Sequence, residues 1–172
     1  MVDELTDPRR SEPDFELGER EMLEGWLEFH RVTLILKCEG LTDAERKRRP
    51  VPTSILSLHG LVRHMAEVER SWFRRALLSD AEASYIWFDD AIEDSEIAPL
   101  DDANWEDDLS TWYRECELSR EAAQSFALDD GGARGDKRVT LRWIYTHMIE
   151  EYARHNGHAD IIRELIDGSV GA

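Results

Sequence analysis

Apolar residues recur along most of the chain at steps of three and four, the period of a helix with one buried face. Over 19–37, Leu23, Trp26, Leu27, His30, Leu34 and Cys38 fall on one side, and Gly40 supplies a C-terminal stop. Thr42, followed three residues later by Glu45, reads as a capping box that opens a short helical turn. Pro50 and Pro52 then break the chain. A second long helix is predicted over 57–78, with Leu58, Leu61, Val62, Met65, Glu69, Trp72, Phe73 and Ala76 in its stripe. A third fits 105–126, with Leu109, Trp112, Tyr113, Cys116, Ser119 and Ala123 on one face. Asn104 is its N-cap, and Asp107 and Asp108 suit the positive end of its dipole. Asp129-Asp130-Gly131-Gly132 ends that helix and a loop runs through Gly135. Thr140 caps the fourth helix, which continues to Ile166 and stops at Asp167-Gly168.

No alternating pattern of useful length predicts a strand, and no segment repeats. The expectation is all-α: four long amphipathic helices forming one antiparallel bundle domain over 19–168. An extended arm, 1–18, with Pro8 and Pro13, precedes it. The connection between helices two and three, 79–104, is acidic and irregular and holds Tyr85, Trp87 and Phe88. Its length permits a crossover, so strict up-down alternation does not follow, and such loops often form lids.

The 172-residue length suits a single domain, and a hydrophobic fraction of 41% is enough to bury a core. Charge narrows the functions. With 38 acidic side chains against 21 Lys and Arg, the net charge is −17, which disfavours nucleic acid and anionic membranes as partners. The apolar run Leu34-Ile35-Leu36 is far short of the ~20 residues of a spanning helix. The opening residues lack the basic start and apolar core of a signal peptide. Two cysteines, Cys38 and Cys116, cannot build a disulfide scaffold, so a cytoplasmic setting is expected.

The fourth helix carries the informative chemistry. Its apolar face is centred on Leu141, Ile144, Met148, Tyr152, Ala159, Ile162 and Ile166. Glu151 and His155 fall inside that face one turn apart, with His147 and His158 along its edge. An ionised glutamate left unpaired in an apolar interior costs several kcal/mol. Either a basic side chain reaches it or a cation sits there. Groups at i and i+4 project side by side, about 5–6 Å apart at Cβ, and can chelate one ion with a third ligand from a facing helix. His64, on the flank near Leu61 and Val68, is the candidate third donor; His59 points to the opposite side. The competing reading is a buried Glu–His or Glu–Arg pair, and spacing alone leaves both open. His30 reads as structural, and the tryptophans, Met65 and Met148 read as packing.

The segments SILSLHGLVRHMAEVERSWF (54–73) and TLRWIYTHMIEEYARHNGHADIIRELIDG (140–168) resemble the two signature helices of DinB/YfiT-like proteins. The likeness is closest to a branch long labelled only as a domain of unknown function. It implies a four-helix bundle, commonly a homodimer, with a divalent metal held by three side chains. On that pattern the ligands are His64, Glu151 and His155, with His147 and His158 as outer neighbours. Many members have histidine where Glu151 stands. Two histidines and one glutamate are similar to the set in mycothiol-dependent maleylpyruvate isomerase. Such a set with open positions suits Zn²⁺ or Ni²⁺. The resemblance further implies a low-molecular-weight thiol, mycothiol or bacillithiol, as co-substrate. A thiol on such a metal deprotonates near neutral pH, and its transfer to a small-molecule electrophile is the leading function. Two alternatives stand beside it. One is a small metal-dependent hydrolase, with His158 and Glu69 as the candidate general bases. The other is a metal-binding or stress-related scaffold without turnover.

Overall fold

The computed structural model describes residues 7–98 and 100–171. Its helices are α1 (Glu19–Leu36), α2 (Asp43–Lys47), α3 (Leu58–Glu69), α4 (Trp105–Gln124) and α5 (Leu141–Asp167), with a π-helical segment (Arg70–Leu77) continuing α3. The helix starts follow local chemistry. Ser57, Asn104 and Thr140 accept backbone N–H bonds from Gly60, Asp107 and Trp143, satisfying donors that the first turn leaves free. Thr42 and Glu45 form the reciprocal capping box that opens α2. Among the described residues, no helix is long and apolar enough to cross a membrane.

Side-chain contacts fix the helix directions. α1 and α5 run parallel: Tyr145 donates to Glu24 near their starts, Asn156 to the His30 carbonyl further on, and Arg163 to the Lys37 carbonyl at the far end. α4 opposes α1, since Arg20 reaches the Phe126 carbonyl while Arg120 pairs with Glu28. α3 and its π-helical continuation follow α4, through His59–Asp108 and Arg70–Glu115, and oppose α5, through His64–His155 and Trp72–Trp143. The 79–104 connection therefore crosses the molecule to restart α4 in the direction of α3. A single core joins these helices, with Leu34, Leu61, Met65, Trp112, Met148 and Tyr152 among its members.

Three features differ from the sequence reading. The helix over 57–78 loosens at Arg70, where bonds reach five residues back, as from the Leu78 N–H to the Phe73 carbonyl at 3.2 Å. This winding keeps Trp72, Phe73, Ala76 and Leu77 all buried, and over two turns its spacing is indistinguishable from an α-helical stripe. Tyr113 leaves the expected core face and is half exposed. The loop through Gly135 is instead a β-hairpin of β1 (Gly131–Arg134) and β2 (Lys137–Thr140), antiparallel, with Gly132 opposite Val139 and Arg134 opposite Lys137. Its two-residue turn has Gly135 at φ +63°, the left-handed conformation such hairpins require. A Cβ at Gly132 would lie 2.0 Å from the Ala76 carbonyl oxygen. Only glycine lets this strand lie against the end of the π-helical segment.

Candidate metal centre

His64 from α3 and Glu151 and His155 from α5 meet where the two helices cross. Each offers one ligand atom, and these atoms all lie within 4.8 Å of one another. His155 Nε2 is 3.5 Å from one Glu151 oxygen, and the His64 and His155 rings are 4.7 Å apart at their centroids. His155 is buried, while His64 and Glu151 are partly open. Burial, reinforced by the neighbouring imidazoles His64 and His158, pushes the His155 pKa down to about 4. Near neutral pH the ring is therefore uncharged, with a lone pair to donate. The alternative of a buried Glu⁻–His⁺ pair needs the opposite shift.

Two neighbours were not anticipated from the sequence. Glu96, from the 79–104 connection, places an oxygen 3.3 Å from His64 Nδ1. A carboxylate on one ring nitrogen orients a histidine whose other nitrogen serves a metal. Glu67, one turn after His64, accepts three backbone N–H bonds from Ile86, Trp87 and Phe88 at 2.6, 2.5 and 3.0 Å. It latches the connection over the site. Glu67 Oε2 and Glu96 Oε2 are buried without a hydrogen-bond partner, so the surroundings are poised for donors or positive charge. Acidic residues in so acidic a stretch give no periodic signal, which is why Glu96 was not legible.

On α5, His147 Nε2 lies 3.4 Å from the other Glu151 oxygen, and His158 Nδ1 lies 3.5 Å from His155 Nδ1. His147, Glu150 and Glu151 form a second group of closely spaced donors. Glu150, however, is exposed and already bound by Arg154 at 2.9 Å. The first group fits a cation better: two imidazole nitrogens and one carboxylate in a half-buried cleft are a good donor set for Zn²⁺ or a similar ion.

Several sequence candidates lie elsewhere. Glu69 is wholly buried and held by Arg31 (2.8 and 2.6 Å) and by the Tyr152 hydroxyl (2.8 Å). A carboxylate so fully occupied is not free to act as a base, so its position removes one of the two proposed general bases. His59 pairs with Asp108 at 2.8 Å, and the His30 carbonyl receives Asn156 at 3.0 Å; both are structural. Cys38 and Cys116 are free and buried, and burial raises both thiol pKa values, to about 12 for Cys38. Neither supplies a thiolate.

Beside the three-donor cluster opens a cavity of about 420 Å³, lined by His64, Glu67, Trp72, Tyr85, Phe88 and Glu151 among others. It suits a small molecule whose polar end meets the carboxylates and whose apolar part meets the aromatics. No curated protein and no solved structure is found to match the chain. A family model described as mycothiol-S-transferase matches residues 22–168. With most of its length covered, including α3, α5 and the cluster between them, the chain belongs to the mycothiol-S-transferase family, within the DinB/YfiT-like superfamily.

Proposed function

We propose that the protein transfers a low-molecular-weight thiol, mycothiol or bacillithiol, to an electrophile at a divalent metal held by His64, Glu151 and His155. The observation that carries this reading is the cluster of these three donors beside a substrate-sized cavity that two of them, His64 and Glu151, line, in a chain of this family. Bound Zn²⁺ or Ni²⁺ would supply the Lewis acidity that makes a thiol nucleophilic at neutral pH. The chain supplies the rest. His155 stays neutral and Glu151 contributes negative charge. Glu96 orients the His64 ring. The connection latched by Glu67 carries Tyr85 and Phe88 to the cavity. In the transfer, the thiol proton leaves to solvent or a nearby base such as His158. The sulfur lone pair forms the new S–C bond, and the leaving group departs with the pair from the bond it breaks.

The occupied state of Glu69 leaves the hydrolase alternative, which would need a general base for water, with His158 as its one remaining candidate. Turnover of electrophiles by the metal-loaded protein, with and without added thiol, tests the proposal. Turnover only with thiol is expected. Turnover without it would make the protein a hydrolase, and metal binding with neither would leave a scaffold.

A further inference from the structure

A second groove adjoins the metal-site cavity and shares Trp72 and Arg134 with it. Its volume is about 440 Å³. The hairpin forms one wall and the indoles of Trp72 and Trp143, 4.9 Å apart at their centroids, form the other. The hairpin register places Arg134 opposite Lys137, so both project from one face, the face that Gly132 and Val139 share. Arg134 stacks its guanidinium on Trp72, 4.1 Å from the ring centroid. Among the described residues neither cation forms an ion pair with a carboxylate. None of the described residues that line this groove is acidic, on a chain where 38 acids face 21 bases. The metal-site cavity, by contrast, is lined by Glu67, Glu96 and Glu151.

The positive character comes from side chains. The first amides of α5 are already bonded, Leu141 to the Asp130 carbonyl, Arg142 to the Leu128 carbonyl and Trp143 to its own N-cap. The groove also leads to the metal cluster. Trp143 stacks on His147 with ring centroids 4.9 Å apart, and His147 touches Glu151 at 3.4 Å.

We infer that this groove is the subsite of the electrophile, and that it takes a planar, aromatic or conjugated molecule carrying an anionic group such as a carboxylate. This rests on the transferase reading for the word electrophile, but the binding chemistry stands on the groove itself. The half-exposed Trp143 indole offers flat apolar surface to a conjugated system, with Trp72 and its stacked Arg134 behind it. Arg134 and Lys137 hold its anionic end against the repulsion of the chain's net charge. The neighbouring acidic cavity is left for the donor-rich thiol.

Isothermal titration calorimetry on the metal-free protein, without thiol, tests the inference with two matched probes, para-nitrobenzoate and nitrobenzene. The wild-type protein is expected to bind the anion at least about tenfold more tightly than the neutral arene. Lys137→Glu and Arg134→Glu should each erase that preference. Both side chains are exposed, so both variants should fold; Lys137→Glu should keep the wild-type melting temperature, whereas Arg134→Glu also loses the stack on Trp72. Equal binding of the two probes, or an unchanged preference in both variants, would overturn the inference. Because the readout needs neither metal nor turnover, failure of the transferase reading would show separately, as no thiol-dependent reaction with any electrophile.

Discussion

Burial, with the imidazoles of His64 and His158 close by, holds His155 neutral down to about pH 4, against an ordinary value of 6.5. Between those values the unfolded chain binds a proton that the native chain excludes. Native stability therefore rises with pH from about 4 to 6.5 and is lost on acidification through that window. Denaturant titrations of the chelator-treated protein should show the transition midpoint falling as pH drops from 6.5 towards 4. The drop should be smaller in His155→Gln, which has no proton to gain; equal drops in the two proteins would contradict the shift. Sequence spacing singled out Glu151 and His155, because a polar pair one turn apart inside an apolar stripe stands out; His64 was a flank candidate that the family resemblance joined to them, and the structure brings the three side chains together. Spacing could not separate Glu69 from them. That residue sits in the same kind of stripe, and only its partner Arg31, 38 positions earlier in the chain, reveals a structural ion pair.

Helices announced themselves where periodicity and capping agreed, as at Asn104, Thr140 and the Thr42–Glu45 box. The π-helical segment did not, since a stripe only two turns long accommodates either winding. The hairpin was missed because Gly131-Gly132-Ala133-Arg134 offers no apolar alternation, and its strand character comes from pairing and from docking on the π-helical segment. That docking depends on Gly132, where a Cβ would meet the Ala76 and Leu77 carbonyl oxygens at 2.0 and 2.3 Å. Backbone cannot give way as a flexible side chain does. Gly132→Ala is therefore expected to destabilise the fold by about 1–3 kcal/mol, the usual range for overpacking. Equilibrium unfolding in urea measures it, and a change under about 0.5 kcal/mol, the range of a neutral surface substitution, would mean the hairpin lifts off freely.

At the scale of the molecule, helix directions followed from contacts that no sequence pattern encodes, and the long 79–104 connection gave only permission for the crossover. Ile161 and Leu165 lie one turn apart on α5, both more than half exposed, and we propose that they contribute to a homodimer despite the −17 charge. Light scattering at physiological salt should give about twice the 19.9 kDa chain mass, and a value near 19.9 kDa would reject the dimer. The proposed activity depends above all on the three-donor metal centre. Elemental analysis after saturation with Zn²⁺ or Ni²⁺ and removal of excess ion, on the wild-type protein and on His155→Ala, tests it most directly. One divalent ion per wild-type chain, and loss of stoichiometric metal from a variant that still unfolds cooperatively, is the predicted result. Metal absent from the wild type, or fully retained by the variant, would contradict it.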